Sequence, residues 1–153
     1  MKAKDIMTPS PATASPNDSI ECVAQLMREY DCGVVPVVEG RQIVGIVTDR
    51  DLAVRALAAG KDADTAVRDV MTASPCCCSA DDDVSDVEKV MKDNQVRRVP
   101  IVDDRECCIG IIAQADLARA AKDGRRVSDR EVAVVVERIS EPANVSIHSR
   151  PSS

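Results

Sequence analysis

Apolar residues recur along the first third of the chain with two different spacings, and each spacing predicts one type of element. Between residues 19 and 30 they return at every third or fourth position, which predicts a helix with one buried face. The residues on that face are Ile20, Val23, Ala24 and Met27. Residues 34–38 and 42–48 are rich in Val and Ile and flank a short polar turn, so they predict a β-hairpin.

Three further features complete this unit of the chain. A short apolar piece near residues 12–15 precedes the helix, and residues 49–59 predict a second helix because Gly60 follows it as a typical C-terminal cap. Pro36, inside the first hairpin strand, has no backbone N–H and therefore predicts an edge strand or a bulge. The predicted order of elements is β-α-β-β-α.

The same unit occurs a second time in the chain. Asp5-Ile6-Met7-Thr8 returns 64 residues later as Asp69-Val70-Met71-Thr72. Gly45-Ile46-Val47 returns 65 residues later as Gly110-Ile111-Ile112, and residues 83–94 repeat the apolar spacing of the first helix. A similarity that stays in register over so many positions predicts an internal duplication.

The duplication predicts the domain organisation and an α/β (α+β) fold class. Residues 1–62 form the first repeat and residues 63–124 the second, and the two stack with pseudo-twofold symmetry because neither can cover its apolar sheet face alone. We expect a common core, with clefts between the repeats. Residues 125–142 predict an additional C-terminal helix, and residues 143–153 are expected to be a disordered tail.

Composition and charge narrow the classes of function. The net charge of −6 argues against a nucleic-acid partner, which would require a basic surface. The sequence has no apolar run long enough for a membrane span and no signal-peptide pattern at its start, so we expect a cytoplasmic location. Seven cysteines, five of them in two contiguous runs, are then expected to be reduced thiols. With no Phe or Trp, a planar ligand would need aliphatic walls.

The segment Thr48-Asp49-Arg50-Asp51, where a strand meets a helix, is the strongest candidate for chemistry. In one interpretation it is only a helix cap, made by Thr48 and Asp51. In the other, the N–H groups of the helix and the Thr48 hydroxyl bind a phosphate, and the Asp51 carboxylate accepts hydrogen bonds from ribose hydroxyls.

The repeated unit resembles a known family. Each copy has an Asp-hydrophobic-Met-Thr start, a hydrophobic-Pro-hydrophobic strand such as Val99-Pro100-Ile101, and a Gly-hydrophobic-hydrophobic stretch that three residues separate from an Asp. This combination resembles the CBS domain pair, or Bateman module, over about residues 3 to 122. The run Val96-Arg97-Arg98-Val99-Pro100 is similar to stand-alone bacterial CBS-pair proteins of the hypoxic-response type.

The resemblance implies a flat, often dimeric module with two clefts for adenine nucleotides such as AMP, ADP or ATP. By the same resemblance, each cleft joins residues of both repeats. The first cleft would contain Ile46, Thr48, Asp51, Cys76, Val96, Arg97 and Arg98. The second would contain Ala12, Cys32, Gly33, Val34, Ile111 and Asp116.

The two clefts are predicted to be unequal. Ala113 stands where the first cleft has Thr48, so the second cleft lacks that hydroxyl. Gly33 and Val34 stand where the other repeat has its two arginines, so the second cleft also lacks those cations. Lost hydrogen bonds, and above all lost charge-assisted contacts, weaken phosphate binding. We therefore expect one strong nucleotide site in the first cleft and a weak or vacant second cleft.

The sequence predicts a protein without catalysis of its own, because it contains no nucleophile beside a histidine and no Walker loop. A regulatory module would then signal through its dimer or through a protein partner. Two other interpretations stay open. The clefts could be empty in a structural or interaction protein, or the cysteines could form a redox or metal sensor, since Cys76 is predicted to lie near two arginines. Small apolar packing is the simpler interpretation of the cysteines, and no metal site or cofactor is predicted.

Overall fold

The structure is a computed structural model that describes residues 1–123. A mixed four-stranded sheet and an antiparallel three-stranded sheet, with flanking helices, form an α+β fold, which confirms the predicted fold class. The predicted helix over residues 125–142 and the predicted tail over 143–153 lie outside the described residues. In the part of the chain that the structure describes, no helix has the length and apolar character needed to cross a membrane.

The first half of the chain contains the predicted unit, preceded by a short helix and a short strand. Its elements are α1 (Ala3–Ile6), β1 (Thr8–Pro9), α2 (Ile20–Tyr30), β2 (Val34–Glu39), β3 (Gln42–Thr48) and α3 (Asp49–Asp51), which continues into a π-helical segment, Leu52–Leu57.

The second half repeats this order with two differences in helix type, at its opening turn and at its last helix. Its elements are a 3₁₀ turn at Val67–Asp69, β4 (Thr72–Ala73), β5 (Cys78–Ser79), α4 (Val84–Asn94), β6 (Arg98–Val102), β7 (Cys108–Ala113) and α5 (Gln114–Lys122). The apolar piece expected near residues 12–15 forms only an isolated bridge, between Ala14 and Val37, whereas its counterpart forms β5.

Helix α2 begins and ends where the sequence predicted. The Ser19 side chain caps it by accepting a hydrogen bond from the Cys22 amide at 3.1 Å, which satisfies one of the free N–H groups of the first turn. Val23 and Met27 are buried as predicted. Ala24 is exposed, so its assignment to the buried face was wrong, and Leu26 packs against the core instead.

The two sheets exchange their first strands. One sheet has the order β1-β7-β6-β5, and the other has the order β2-β3-β4. Strand β1, from the first repeat, therefore pairs with β7 of the second repeat, while β4, from the second repeat, pairs with β3 of the first. The Asp-hydrophobic-Met-Thr motif of each repeat thus leads directly into the sheet of the other.

The expected common core is replaced by two hydrophobic clusters, one for each sheet. The cluster on the second repeat includes Ala3 from the start of the chain. The cluster on the first repeat includes Val67 and Val70, from the start of the second repeat. Each core is therefore completed by the other half of the sequence, as the strand exchange requires.

A close contact between methionine and glycine accompanies each exchanged strand. A Cβ atom added at Gly45 would lie 2.4 Å from the Met71 sulfur, and one at Gly110 would lie 2.3 Å from the Met7 sulfur. Since real Cβ atoms do not approach sulfur so closely, only glycine fits these positions without movement of the methionine. The repeated Met and Gly of the sequence therefore mark a contact between the repeats.

The prolines of the hairpins lie beside bulges. Pro36 is in β2, an edge strand whose register shifts between Val37 and Val38, so both predicted alternatives are correct. In the second repeat, Pro100 precedes a register shift between Ile101 and Val102.

Candidate functional site

Residues of both repeats enclose a cavity of about 840 Å³. All seven residues predicted for the first cleft line it: Ile46, Thr48, Asp51, Cys76, Val96, Arg97 and Arg98. The strand exchange explains why they meet. Strand β4 runs antiparallel beside β3 and pairs Thr72 with Ile46, so the segment after β4 brings Cys76 into the cavity that Ile46 and Thr48 also line.

Thr48 and Asp51 form a reciprocal capping box at the junction between β3 and α3. The Thr48 amide donates to Oδ2 of Asp51 at 2.9 Å, and the Asp51 amide donates to the Thr48 hydroxyl oxygen at 3.2 Å. Because the hydroxyl oxygen accepts in this contact, its proton remains able to donate to a ligand. Each carboxylate oxygen of Asp51 keeps a lone pair for a further hydrogen bond, so the cap and the predicted ribose contact are compatible.

The first amides of the helix do not point freely into the cavity. The Asp49 amide donates to the Gly33 carbonyl at 3.0 Å, and the Arg50 amide donates to the Asp49 carboxylate at 2.8 Å. The Asp51 amide is held by Thr48. Protein acceptors therefore hold these N–H groups in the structure, and a phosphate in this cavity would depend on side chains.

Arginine side chains supply positive charge to the cavity. Arg50 lies on the helix side, and Arg97 and Arg98 lie at the start of β6 on the opposite side, next to Asn94 and Gln95. Asp49 also lines the cavity and adds a negative charge to the same wall as Arg50. One end of the cavity thus carries the Asp51 carboxylate and the Thr48 hydroxyl, and the opposite wall carries the guanidinium groups of Arg97 and Arg98.

Several residues that line the cavity were missed from the sequence. Thr72, Ser74 and Pro75 enter because β4 crosses to the first repeat, and Asn94 and Gln95 enter because α4 ends beside the arginines. The Thr of the repeated Asp-hydrophobic-Met-Thr motif was a signal for the first group. No pattern in the sequence marked the second group.

The residues assigned to the second cleft lie in several elements. Ala12 precedes the bridge at Ala14, and Val34 begins β2; Ile111 is buried in β7, and Asp116 lies in α5. Cys32 follows the end of α2 and packs partly against the core of the first repeat.

Gly33, assigned to the second cleft, lies close to two side chains that line the first, Asp49 and Arg98. A Cβ atom added at Gly33 would lie 3.0 Å from Oδ2 of Asp49 and 3.3 Å from a terminal nitrogen of Arg98. The absence of a side chain at Gly33 therefore leaves the room that the Arg98 guanidinium occupies.

Asp116 repeats the cap of Asp51 but is more enclosed. Its Oδ2 accepts from the Ala113 amide at 2.7 Å, and its Oδ1 pairs with Arg119. Its side chain is 7% exposed, compared with 17% for Asp51. Asp116 is thus less accessible to a ligand than Asp51.

The cysteines of the second repeat differ in exposure and in pKa. Cys76 is exposed and lines the cavity. Burial raises the pKa of the Cys77 and Cys78 thiols to about 11, with smaller contributions from neighbouring cysteines at Cys77 and from nearby carboxylates at Cys78. Burial also raises the pKa of Cys108. These three thiols are protonated at neutral pH, so they are poor nucleophiles there. Among residues 1–123, no cluster of three His, Cys, Asp or Glu side chains could hold a metal ion.

Sequence comparisons identify related proteins. The CBS domain family model matches residues 3–57 and 67–123. A CBS domain-containing protein of Bacillus subtilis, YhcV, is 41% identical over 115 residues, which cover 75% of this chain and 81% of YhcV. Hypoxic response protein 1 of Mycobacterium tuberculosis is 34% identical over 119 residues, covering 76% of this chain and 82% of that protein.

Structure comparisons lead to the same family. The crystal structure of Hypoxic Response Protein I with two coordinated zinc ions has a TM-score of 0.71 and 31% identity, and covers 78% of this chain and 98% of the other. CBSX2 in complex with AMP has a TM-score of 0.69 and 27% identity, with 82% and 98% covered. The CBS domain pair of MJ0100, in complex with 5′-methylthioadenosine and S-adenosylmethionine, has a TM-score of 0.74, 28% identity and the same coverage.

Proposed function

Because the chain belongs to the CBS-domain family, as a tandem pair, we propose that it is a non-catalytic regulatory module that binds an adenine nucleotide between its halves. The single observation that carries this proposal is the cavity of about 840 Å³ that the seven predicted residues line together. Four of them come from the second repeat and three from the first, so a bound ligand would contact both repeats.

Asp51 is the proposed ribose contact. Its carboxylate is held in one orientation by the Thr48 amide at 2.9 Å, so little side-chain freedom is lost when a ligand binds. Two adjacent hydroxyls of a ribose could donate to an ionised carboxylate at once, and such charge-assisted hydrogen bonds are stronger than neutral ones.

Arg97 and Arg98 are the proposed phosphate contacts, with the Thr48 hydroxyl as an additional donor. Guanidinium groups match the geometry of a phosphate and remain charged at every relevant pH. They favour a phosphorylated ligand, as in the AMP complex of CBSX2, over the neutral and cationic adenosyl ligands of MJ0100.

The base would lie between aliphatic groups. Ile46, Val96 and Pro75 line the cavity, and the protein has no Phe or Trp for aromatic stacking. Such a pocket recognises the shape and apolar faces of adenine through contact area.

The output of binding would be a change in subunit or partner geometry. A ligand shifts such an equilibrium only by its differential affinity for two states. We propose a homodimer or an unidentified protein partner as the responding element. Light scattering and small-angle X-ray scattering with and without AMP would detect a change in the assembly.

Calorimetry with AMP on Asp51→Asn tests the proposed site. Asparagine keeps an acceptor for the Thr48 amide and removes the charge, so we expect the affinity for AMP to fall about thirtyfold with little change in fold. Asp86→Asn is the matched control, because Asp86 accepts from the Asp83 amide at 3.2 Å in the same type of cap, outside the residues that line the cavity. Its affinity should equal that of the wild type.

Asp116→Asn compares the two clefts in the same experiment. We expect one AMP per chain and an affinity close to that of the wild type for this variant. Equal losses for Asp51→Asn and Asp116→Asn, or a larger loss for Asp116→Asn, would overturn the assignment of the strong site. A thermal shift assay with AMP, ADP, ATP, S-adenosylmethionine and NADH tests binding more broadly. If none of them raises the melting temperature, the alternative of a structural or interaction protein is favoured.

Cys76 offers an independent measure of occupancy. A ligand in the cavity would cover its thiol, whereas the exposed Cys22, on α2, lies outside the cavity-lining set. Alkylation followed by peptide mass analysis should show that AMP slows modification of Cys76 and leaves Cys22 unchanged. Equal rates at Cys76 with and without saturating AMP would contradict binding in this cavity.

A further inference from the structure

We infer that Arg55 is a positioning residue that ties Asp51 to the segment of the second repeat that enters the cavity. The inference rests on the proposed function, because it concerns the same cavity. It assigns a role to a residue that does not line the cavity and that no motif in the sequence indicated.

Arg55 contacts three groups in two parts of the chain. Its Nε lies 3.7 Å from Oδ1 of Asp51, the carboxylate oxygen that is not held by the Thr48 amide. A terminal nitrogen donates to the carbonyl oxygens of Val70 at 3.3 Å and Met71 at 3.2 Å. One guanidinium therefore joins the acid of the first repeat to the main chain just before β4.

The segment that Arg55 holds leads directly into the cavity. Thr72 begins β4 immediately after Met71, and Ser74, Pro75 and Cys76 follow it along the cavity wall. Strand β4 pairs with β3 through only two residue pairs, Gly45 with Ala73 and Ile46 with Thr72. The two bonds from Arg55 therefore add to the burial of Val70 and the packing of Met71 in anchoring this crossing segment.

The second repeat does not reproduce this link. In the described residues Arg119 bonds to Asp116 alone, and Ala120, which corresponds to Arg55 in the repeat spacing, is buried. Arg55 comes four residues after the capping aspartate Asp51, whereas Arg119 comes only three residues after Asp116. It lies in the π-helical segment Leu52–Leu57, whereas α5 is a regular α-helix. π-Helical turns are rare and are found frequently at functional sites.

The consequence is a coupling between the proposed ribose contact and the opposite wall. When Oδ1 of Asp51 accepts from a ligand, the ligand competes with or adds to the contact from Arg55. The position of the guanidinium, and through it the Val70 and Met71 carbonyls, then depends on occupancy. Arg55 thus affects affinity by orienting Asp51 and the crossing segment, without touching the ligand.

Calorimetry on Arg55→Ala, with AMP as the probe and the full chain, tests this role. Since the Arg55 side chain is 51% exposed, solvent weakens its pair with Asp51, and we expect about a fivefold loss of AMP affinity. In a double-mutant cycle, adding Arg55→Ala to Asp51→Asn should lower the affinity for AMP by less than Arg55→Ala does alone, because part of the effect of Arg55 passes through Asp51. A merely structural role would add its loss to that of Asp51→Asn.

Two matched variants separate charge from geometry. Arg28→Ala removes one exposed positive charge from the last turn of α2 and should leave the affinity for AMP unchanged. Arg55→Lys keeps the charge but loses the planar fork that spans Asp51 and the two carbonyls, so it should recover only part of the affinity. Full recovery by lysine would show that charge alone matters and would overturn the positioning role.

Hydrogen exchange of the Ser74 amide in the protein without nucleotide supplies a readout that does not depend on AMP. This amide donates to the Val44 carbonyl at 3.1 Å, so its protection reports how firmly the crossing segment is held. We expect Arg55→Ala to raise its exchange rate about threefold, because the segment loses two hydrogen bonds, while the Val23 amide on α2 is unaffected. If the wild type does not bind AMP, the proposed function fails, and Ser74 exchange still decides whether Arg55 anchors the segment. If the wild type binds AMP and Arg55→Ala matches it in both affinity and Ser74 exchange, only the inference about Arg55 fails.

Discussion

The two halves of the molecule share an order of elements but differ in the chemistry they bring to the junction between hairpin and helix. In the first half, Thr48 and Asp51 cap the helix, and the cavity beside them contains Arg97 and Arg98. In the second half, Asp116 caps the helix without a hydroxyl partner, because the position before the helix is Ala113. Both halves have the capping aspartate, whereas only the first junction has a threonine hydroxyl and faces the Arg97 and Arg98 pair.

This difference teaches that the acid alone does not identify a ligand site. Asp51 accepts from the Thr48 amide at 2.9 Å, and Asp116 accepts from the Ala113 amide at 2.7 Å. The carboxylate therefore has the same structural task in both helices, and that task accounts for its presence even without a ligand. What distinguishes the first cleft is the side chains that the other repeat supplies.

The largest expected effect is on the alkylation rate of Cys77 in the second half, measured against the exposed Cys22 of the first half. Burial raises the pKa of Cys77 to about 11 from its usual 9.0. At pH 8 the thiolate fraction, and with it the alkylation rate of Cys77, should be roughly a hundred times lower in the folded protein than in urea. Mass analysis of peptides alkylated under both conditions measures the ratio, and Cys22 should change far less.

The pH dependence follows from the sign of that shift. The fold favours the protonated thiol, so its contribution to stability is fully present below about pH 9 and is lost as the pH rises through about 11. The protection of Cys77 against alkylation should disappear over the same range. Equal rates in the folded and unfolded protein at pH 8 would show that Cys77 is accessible and has an ordinary pKa.

The two glycines beneath the exchanged methionines give the next largest effect. A Cβ at Gly110 would lie 2.3 Å from the sulfur, 2.9 Å from Cγ and 3.2 Å from Cβ of Met7, whereas a Cβ at Gly45 would meet mainly the flexible end of Met71. We expect Gly110→Ala to lower the free energy of unfolding by about 2 kcal/mol and Gly45→Ala by about 1 kcal/mol. Denaturant unfolding measures both.

A second substitution tests the cause of that loss. Shortening the methionine removes the clash, so Gly110→Ala with Met7→Ala should be more stable than the sum of the two single losses predicts. Additive losses in this double variant would indicate that the backbone of β7, and not Met7, resists the added methyl group.

The smallest expected effect exchanges the caps of the two helices. Thr48→Ala removes the acceptor for the Asp51 amide and should cost about 1 kcal/mol of unfolding free energy. Ala113→Thr adds the corresponding acceptor to α5 and should gain a similar amount, about 1 kcal/mol. Thermal unfolding without ligand checks both, and a loss of stability on Ala113→Thr would show that the second junction cannot accommodate a hydroxyl.

The sequence was sufficient for the local elements and for the duplication. Helix α2 begins and ends as predicted because the Ser19 cap and the apolar spacing both act within the element, and the bulge beside Pro36 follows from its missing N–H. The seven residues that line the cavity were also chosen from the sequence, through resemblance to the CBS pair. Their role in binding nucleotide stays a prediction.

Features that depend on contacts between distant segments were not predictable. The exchange of β1 and β4 is set by pairing between residues about a hundred and about thirty positions apart, and periodicity within one element contains no information on it. For the same reason we expected one core where there are two. The partners of the Asp49 and Arg50 amides and the contacts of Arg55 depend on side-chain geometry, so they too required the structure.

Each repeat contributes its opening strand to the sheet of the other repeat. One repeat produced by itself would therefore have an incomplete sheet and core. Residues 1–62 alone would lack β4 and the two valines that close their core, and would present the bare edge of β3. A second copy of the same fragment also lacks β4, so it could cover the β3 edge only with a strand taken from its own sheet. Cutting the gene at the repeat boundary should therefore yield intertwined or aggregating polypeptides instead of a minimal working fragment.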